Sequence, residues 1–291
     1  MKIAVVSSNT SFIGGLVREL DEVRGHDVLI WQQSREREAD FWGLGVASQA
    51  GTTFVDFAQY PCDLVLAEFN GRIVVRVHRI EMYADDLELW HWERCAALVF
   101  VSEAVRERFC DRLQRAGKVP QRVVVLPGVG VDLDTFRYVS GRSFEPPWRV
   151  LIAGNIVPKK RVYTAIQMLA DWPEEFRLVV VGNGGMPGYG NPEYHVNCTD
   201  LIDELGLRSR VELHPRLSRN DLAAVMGQCH IALSASNEEG CHSTIAEGMA
   251  TGLVPAVNCW RGAAALYGNE AVWRSPAGLT AMLQEWAALT V

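Results

Sequence analysis

The chain has 291 residues, 48% of them hydrophobic, with 28 Lys and Arg against 35 Asp and Glu. That length exceeds one ordinary domain and suits two of roughly 100–150 residues each, and the composition excludes a disordered chain. A net charge of −7, acidic in both halves, excludes the basic footprint of a nucleic-acid binder.

The first half alternates strand and helix signals. Lys2–Ser8 is a short apolar run that ends in small polar residues. Ile13–Val23 follows with Ile13, Leu16, Val17 and Leu20 at helical spacing. Asp27–Trp31 and Asp63–Phe69 read as strands, and Arg72–His78 as another. The pattern predicts a helix over Tyr83–Arg94, a buried strand at Leu98–Ser102 and an amphipathic helix over Glu103–Ala116, with Arg122–Pro127 closing the series. A breaker-rich stretch from Gly141 to Pro147 reads as a linker. The rhythm then restarts. Strands are expected at Arg149–Ala153, Arg177–Val181, Arg210–Leu213, Ile231–Ser236, Leu253–Val257 and Ala271–Arg274. Helices are expected near 159–170, 198–205, 218–227, 243–251 and 261–266, with a last one over Pro276–Leu289. Near-continuous apolar strands alternating with helices imply parallel sheets covered on both faces. The expected fold is therefore α/β, with two doubly wound domains over 1–145 and 146–275 and a C-terminal helix over 276–291. Such sheets bind ligands at the carboxyl ends of their strands, so two facing domains imply a ligand in a central cleft.

Ser7-Ser8-Asn9-Thr10 interrupts the first apolar run well short of a signal-peptide core, and no apolar run approaches the length of a spanning helix. The seven cysteines, at 62, 95, 110, 198, 229, 241 and 259, form no CxxC and no zinc spacing. Scattered thiols fit a reducing cytoplasm. Asp132-x-Asp134 has the look of a metal pair but lies in a turn, which favours a structural role. Trp90-His91-Trp92 lies in an acidic helix, which favours burial over a membrane interface.

The most informative stretch runs from Ser234 to Pro255. A buried strand leads into a polar turn that opens a helix around Ser243. Free N–H groups at a helix start suit a phosphate. Glu247 lies one turn further in, and a carboxylate accepts hydrogen bonds from two adjacent hydroxyls, as a ribose presents them. Glu239 precedes it by eight residues. A diphosphate site flanked by two hydroxyl-binding carboxylates is the outline of a nucleotide-sugar site.

Glu239-x7-Glu247, followed by Gly248-Met249-Ala250-Thr251-Gly252, resembles the E-x7-E region of retaining GT-B glycosyltransferases of family 4. Leu126-Pro127-Gly128-Val129-Gly130-Val131-Asp132 resembles that family's PNGVD turn, and Ala153-Gly154-Asn155-Ile156-Val157-Pro158-Lys159-Lys160 its GRLxxxKG segment. Val179-Val180-Val181-Gly182-Asn183-Gly184 looks like its G-x-G strand end, and Gly14-Gly15 like its N-terminal glycine pair. The resemblance implies that Glu247 holds the donor's ribose. Glu239 and the backbone of Cys241, His242, Ser243 and Thr244 would face the donor sugar. Lys160 would neutralise the diphosphate, with Gly14 and Gly15 letting backbone approach it from the other domain. His78 would lie near the sugar's reacting face, and Arg216 where the nucleobase is read. His78, Lys160 and Glu239 are the residues expected at the chemistry.

The same resemblance implies a hexosyltransferase acting on a nucleotide-diphosphate sugar, UDP ahead of GDP, and a hydroxyl acceptor, with no metal and no further cofactor. A first half that ends near residue 145 is short for that family. It implies a trimmed acceptor side and a cytoplasmic enzyme without strong membrane association. Two positions depart from the pattern. The family's diphosphate arginine is Asn155, and its Phe-Gly is Cys241-His242. These departures motivate one alternative, a non-catalytic GT-B binding subunit; a second is a nucleotide-sugar epimerase or hydrolase on the same fold. Cys241 itself reads as a small filler, since nothing nearby predicts a lowered thiol pKa.

Overall fold

The computed structural model describes residues 1–7, 13–32, 43–128, 130–143, 145–184 and 190–289. Ser8, Asn9, Thr10, Val129 and Phe144, which belong to expected segments, lie outside these. The chain divides into two units, Met1–Gly130 and Val131–Val291. Each is built on a six-stranded parallel sheet.

In the first unit the strands are β1 (Lys2–Ser7), β2 (Asp27–Gln32), β3 (Thr52–Asp56), β4 (Arg72–Val77), β5 (Cys95–Phe100) and β6 (Val123–Val125), in the order β2-β1-β3-β4-β5-β6. Helices α1 (Gly14–Arg18), α2 (Cys62–Glu68) and α3 (Glu103–Arg115) connect them. In the second unit β7 (Trp148–Ala153), β8 (Phe176–Val181), β9 (Val211–His214), β10 (Ile231–Ser234), β11 (Val254–Asn258) and β12 (Val272–Trp273) are ordered β12-β11-β10-β7-β8-β9. Its helices are α4 (Val162–Ala170), α5 (Pro192–Glu204), α6 (Arg219–Gly227), α7 (Ser243–Thr251), α8 (Ala263–Tyr267) and α9 (Pro276–Leu289). Strand order reverses direction between β1 and β3 in the first sheet and between β7 and β10 in the second. Ligands of open α/β sheets bind at such switch points.

Alternation along the central strands builds two cores in the second unit. Val150, Ile152, Leu178 and Val180 face one helical layer, while Leu151, Ala153, Val179 and Val181 face the other. Both faces are buried, so these strands read as unbroken apolar runs. Leu279 and Leu283 of α9 complete the first of these cores.

Gly182, just after β8, marks a close approach of backbone to backbone. A Cβ there would stand 1.9 Å from the carbonyl oxygen of Gly154, which itself has a φ of +143°. Gly182→Ala is expected to destabilise the protein by about 1–3 kcal/mol through this overpacking. Urea unfolding would read the loss as a lower midpoint, and an unchanged midpoint would show that the two strand ends separate freely.

Three expectations are corrected. Asp63–Phe69 is not a strand; Cys62–Glu68 is helical. Its buried residues Cys62, Val65 and Leu66 fall at helical spacing, and a parallel β3–β4 pair needs a crossover of this kind. The strand of that region is Thr52–Asp56 instead. Tyr83–Arg94 is not one helix but a run of single turns, at Ile80–Tyr83, Leu87–Leu89 and Trp92–Arg94. The carbonyls of Met82 and Ala84 accept from Arg112 of α3 at 2.9 and 2.8 Å, and Arg112 also grips Glu88, so these carbonyls are engaged outside any helical ladder. Trp92 is fully buried, edge-on to Phe109.

The division at Gly130/Val131 also comes earlier than the expected boundary at residue 145. Phe136 is buried in the second unit's core, and Arg142 donates to the carbonyls of Thr251 and Gly252 at 2.8 and 2.7 Å. These contacts fasten 131–143 to the second unit. Asp132 closes a local turn, accepting from the backbone N–H of Asp134 and the hydroxyl of Thr135.

Candidate active site

The loops that leave β7 and β10 meet at the second sheet's switch point. The backbone N–H of Asn237 donates to the carbonyl of Lys159 at 3.0 Å and ties them together. After β7 the chain makes a single 3-10 turn, Pro158–Lys160, and passes through Arg161 at a φ of +55° before entering α4. This turn carries Lys160 back over Gly154, where a Cβ would touch its Cε at 3.5 Å.

Lys160 Nζ donates to Glu239 Oε1 at 2.6 Å and approaches His242 Nε2 at 3.0 Å. His242 Nδ1 lies 2.8 Å from Ser234 Oγ. The Tyr267 hydroxyl accepts from the His242 N–H at 3.0 Å and donates to its carbonyl at 3.2 Å. Burial works against the Glu239 carboxylate, but the charges around it, with Lys160 bonded directly, hold its pKa down at about 2. Burial and then the Lys160 ammonium push the His242 imidazole down to about 3, so the ring is neutral.

His242 is followed at once by α7, whose first residues are Ser243 and Thr244. The N–H groups of a first turn have no intrahelical acceptors. Gly248 lets α7 lie close on β10, since a Cβ there would come within 2.8 Å of Ala232 Cβ. That approach buries Glu247 on the same helix, one turn past Thr244. Burial raises its pKa, while Arg219 of α6, 3.3 Å away, works in the opposite direction. Arg219 also lies over the Phe136 ring at 5.0 Å. A half-buried ammonium and two carboxylates, grouped around a helix start, can take up an anion and adjacent hydroxyls together.

Residues 139–270 match the family model "Glycosyl transferases group 1". The match lies within the second unit and covers less than half of the chain. A D-inositol 3-phosphate glycosyltransferase of Xylanimonas cellulosilytica is 30% identical over 163 residues, 51% of this chain and 38% of that protein. One of Mycobacterium leprae is 31% identical over 130 residues, 42% and 29% of the two chains. The matched stretch thus spans well under half the length of these curated relatives. Two solved structures are similar over 99% of the chain. The sucrose-phosphate synthase of Thermosynechococcus elongatus has a TM-score of 0.74 at 14% identity, over 90% of that chain. Anabaena HepE, solved with UDP and glucose, has 0.73 at 17% identity, over 89% of that chain. The likeness is one of fold, the two-domain α/β architecture of GT-B glycosyltransferases.

Within the matched segment the structure brings Lys160, Glu239 and His242 into contact, with Cys241, Ser243, Thr244 and Glu247 along the same loop and helix. Asn155 is exposed at the end of β7, and Arg216 is exposed just past β9. The His242 side chain is buried, with its ring taken up by Lys160 and Ser234. Ser234, Arg219 and Tyr267 were not signalled by the sequence, where each is an ordinary residue of a strand end or a helix. Among the described residues no three His, Cys, Asp or Glu side chains converge as a metal set, the cysteines form no disulfide with one another, and no helix is long and apolar enough to cross a membrane.

Gly14 and Gly15 open α1 in the first unit, and a Cβ on either would meet nothing within 4 Å. His78 directly follows β4. Its Nε2 and the Nε of Arg76 both bond Asp56 Oδ1, at 2.8 and 2.7 Å, and Phe57 stacks on its ring at 4.0 Å. Burial opposes the Asp56 carboxylate, yet His78 and Arg76 lower its pKa overall. Asp56, at the end of β3 beside the first sheet's switch point, escaped the sequence reading because its strand did.

Proposed function

We propose that this chain is a retaining glycosyltransferase. It transfers a sugar from a nucleotide-diphosphate sugar, UDP ahead of GDP, to a hydroxyl acceptor, and needs no metal. The observation that carries this reading is the contact of Lys160 with Glu239 at the second sheet's switch point, within the segment that matches group 1 glycosyltransferases and one loop ahead of the buried Glu247. The curated relatives' names support sugar transfer, and the complex of HepE with UDP and glucose supports the choice of UDP.

In this reading Glu247 accepts from the two ribose hydroxyls, and Arg216 lies toward the base. The first-turn N–H groups of Ser243 and Thr244 and the Lys160 ammonium receive the diphosphate. Glu239 accepts from hydroxyls of the donor sugar. As the bond from the anomeric carbon to the phosphate oxygen breaks, negative charge grows on the diphosphate. A preorganised cation and aligned N–H groups stabilise that charge. The acceptor oxygen bonds the same face that the phosphate leaves, and its proton passes to the departing phosphate oxygen. No protein nucleophile is required.

A thermal-shift screen with UDP, GDP and their sugars tests the donor, and product assays with and without acceptor separate transfer from hydrolysis. Glu247→Ala is expected to weaken UDP binding about 10-fold or more, since each hydrogen bond to a charged group contributes about 1.5–3 kcal/mol, and to abolish transfer. Unchanged kinetics in that variant would remove Glu247 from the site.

A further inference from the structure

Lys160 is held by two side chains of different kinds, a carboxylate and an imidazole. An ammonium has three protons and no lone pair. Nε2 of His242, 3.0 Å from it, is therefore the unprotonated ring nitrogen, and Nδ1 carries the proton and donates to Ser234 Oγ at 2.8 Å. The Tyr267 hydroxyl holds the same residue by its backbone N–H and carbonyl. His242 is thus fixed at both ring nitrogens and along its main chain. The third Lys160 N–H has no partner among the described residues.

While Lys160 and Glu239 are paired their charges cancel, and an arriving anion meets a neutral couple. A sugar diphosphate supplies what each partner needs to separate, hydroxyl donors for the carboxylate and anionic oxygens for the ammonium. We infer that Lys160 exchanges Glu239 for the donor's diphosphate, and that His242, set in its Nδ1–H form by Lys160 and seated against Ser234, is the positioning residue that holds the ammonium through the exchange. The inference rests on the nucleotide-sugar reading above. It also joins the two departures noted in the sequence. Asn155 brings no charge to the end of β7, so Lys160 must act with less help. His242 stands where the resembling family has a glycine, which has no side chain to hold a lysine.

Long-range 1H–15N spectra of the ligand-free protein with labelled histidines read the tautomer directly. His242 is expected to be neutral with its proton on Nδ1, and a proton on Nε2 would overturn the inference whatever the ligand. In calorimetric titrations with UDP, His242→Gly is expected to raise Kd about 10- to 100-fold, the range for a hydrogen bond to a charged group. Its affinity for uridine should not change. His242→Gln, whose side-chain carbonyl still accepts from Lys160, should recover most of the loss. Ser234→Ala, which keeps the ring, should lose less affinity in the same direction. UDP affinity within threefold of wild type in folded His242→Gly and in Ser234→Ala would overturn the inference. Absence of UDP and GDP binding by the wild type would instead overturn the nucleotide-sugar reading, and the exchange with it. The tautomer would still measure the hold of His242 on Lys160.

Discussion

Lys160→Met should lower kcat by about 10²–10³-fold, the loss typical of removing one preorganised stabiliser of transition-state charge. Methionine keeps much of the length and apolar stem of lysine, so the packing over Gly154 survives while the charge does not. The loss should fall on ligands that carry the diphosphate. UDP affinity should drop, whereas uridine, which would meet Glu247 and not Lys160, should bind as before. A second signature lies in Glu239. Its carboxylate is held near a pKa of 2 against burial by the charges around it, and Lys160 is the group bonded to it directly. Without that ammonium the pKa of Glu239 should rise, which carboxyl NMR would register. Lys160→Arg should restore activity only in part, because a planar fork cannot reproduce a point charge shared between a carboxylate and an imidazole. A kcat/KM for Lys160→Met within threefold of wild type would remove Lys160 from the chemistry.

That this site was partly legible in the sequence, and partly not, follows from what local pattern encodes. The central strands of the second unit are buried on both faces, so their apolar runs announced them; the expected Arg149–Ala153 differs from Trp148–Ala153 by one residue. Lys160, Glu239 and Glu247 could be picked out because the loops after strand ends and the starts of helices carry recognisable residues. Their contact could not. Lys160 and Glu239 are 79 residues apart, and they touch because β7 and β10 are neighbours in the sheet, which no stretch of sequence states. Ser234 and Arg219 escaped for a related reason. A serine at a strand end and an arginine in a helix's first turn gain their roles only from what packs against them. In the first unit the misreadings were local. A seven-residue helix, Cys62–Glu68, is too short to display its period against a strand of like composition. The turns over Ile80–Arg94 are held by Arg112 from a helix that begins further on.

Glu81→Gln should make the protein more stable at pH 8 by up to about 3 kcal/mol, and change it little at pH 4. Glu81 lies in the turn after His78 and is wholly buried. Neither of its carboxyl oxygens meets a partner in good hydrogen-bond geometry among the described residues. Burial raises its pKa from 4.5 to about 7, the charge of Asp56 adds to this, and the backbone N–H groups of Glu81, His78 and Ala58 offset only part. Between these two values the folded protein keeps a proton that the unfolded chain has already released. Stability from this group is therefore greatest below pH 4.5, falls as pH rises to 7 and levels off above, by about 1.4 kcal/mol per unit. Glu239 acts in a separate window. Its folded pKa is depressed to about 2, so its contribution is complete above pH 4.5 and lost only in acid. Glutamine keeps the shape of a protonated glutamate and cannot ionise, which removes the fall between pH 4.5 and 7 and leaves the acid limb intact. Urea unfolding midpoints of wild type and Glu81→Gln across pH 4–8 would show the two curves diverging above pH 5. Parallel curves, or a variant weaker than wild type at pH 8, would mean that Glu81 is ionised and stabilising in the fold. The geometry beside it makes that outcome costly. A second buried negative charge would face Asp56, whose single engaged oxygen already serves both Arg76 and His78.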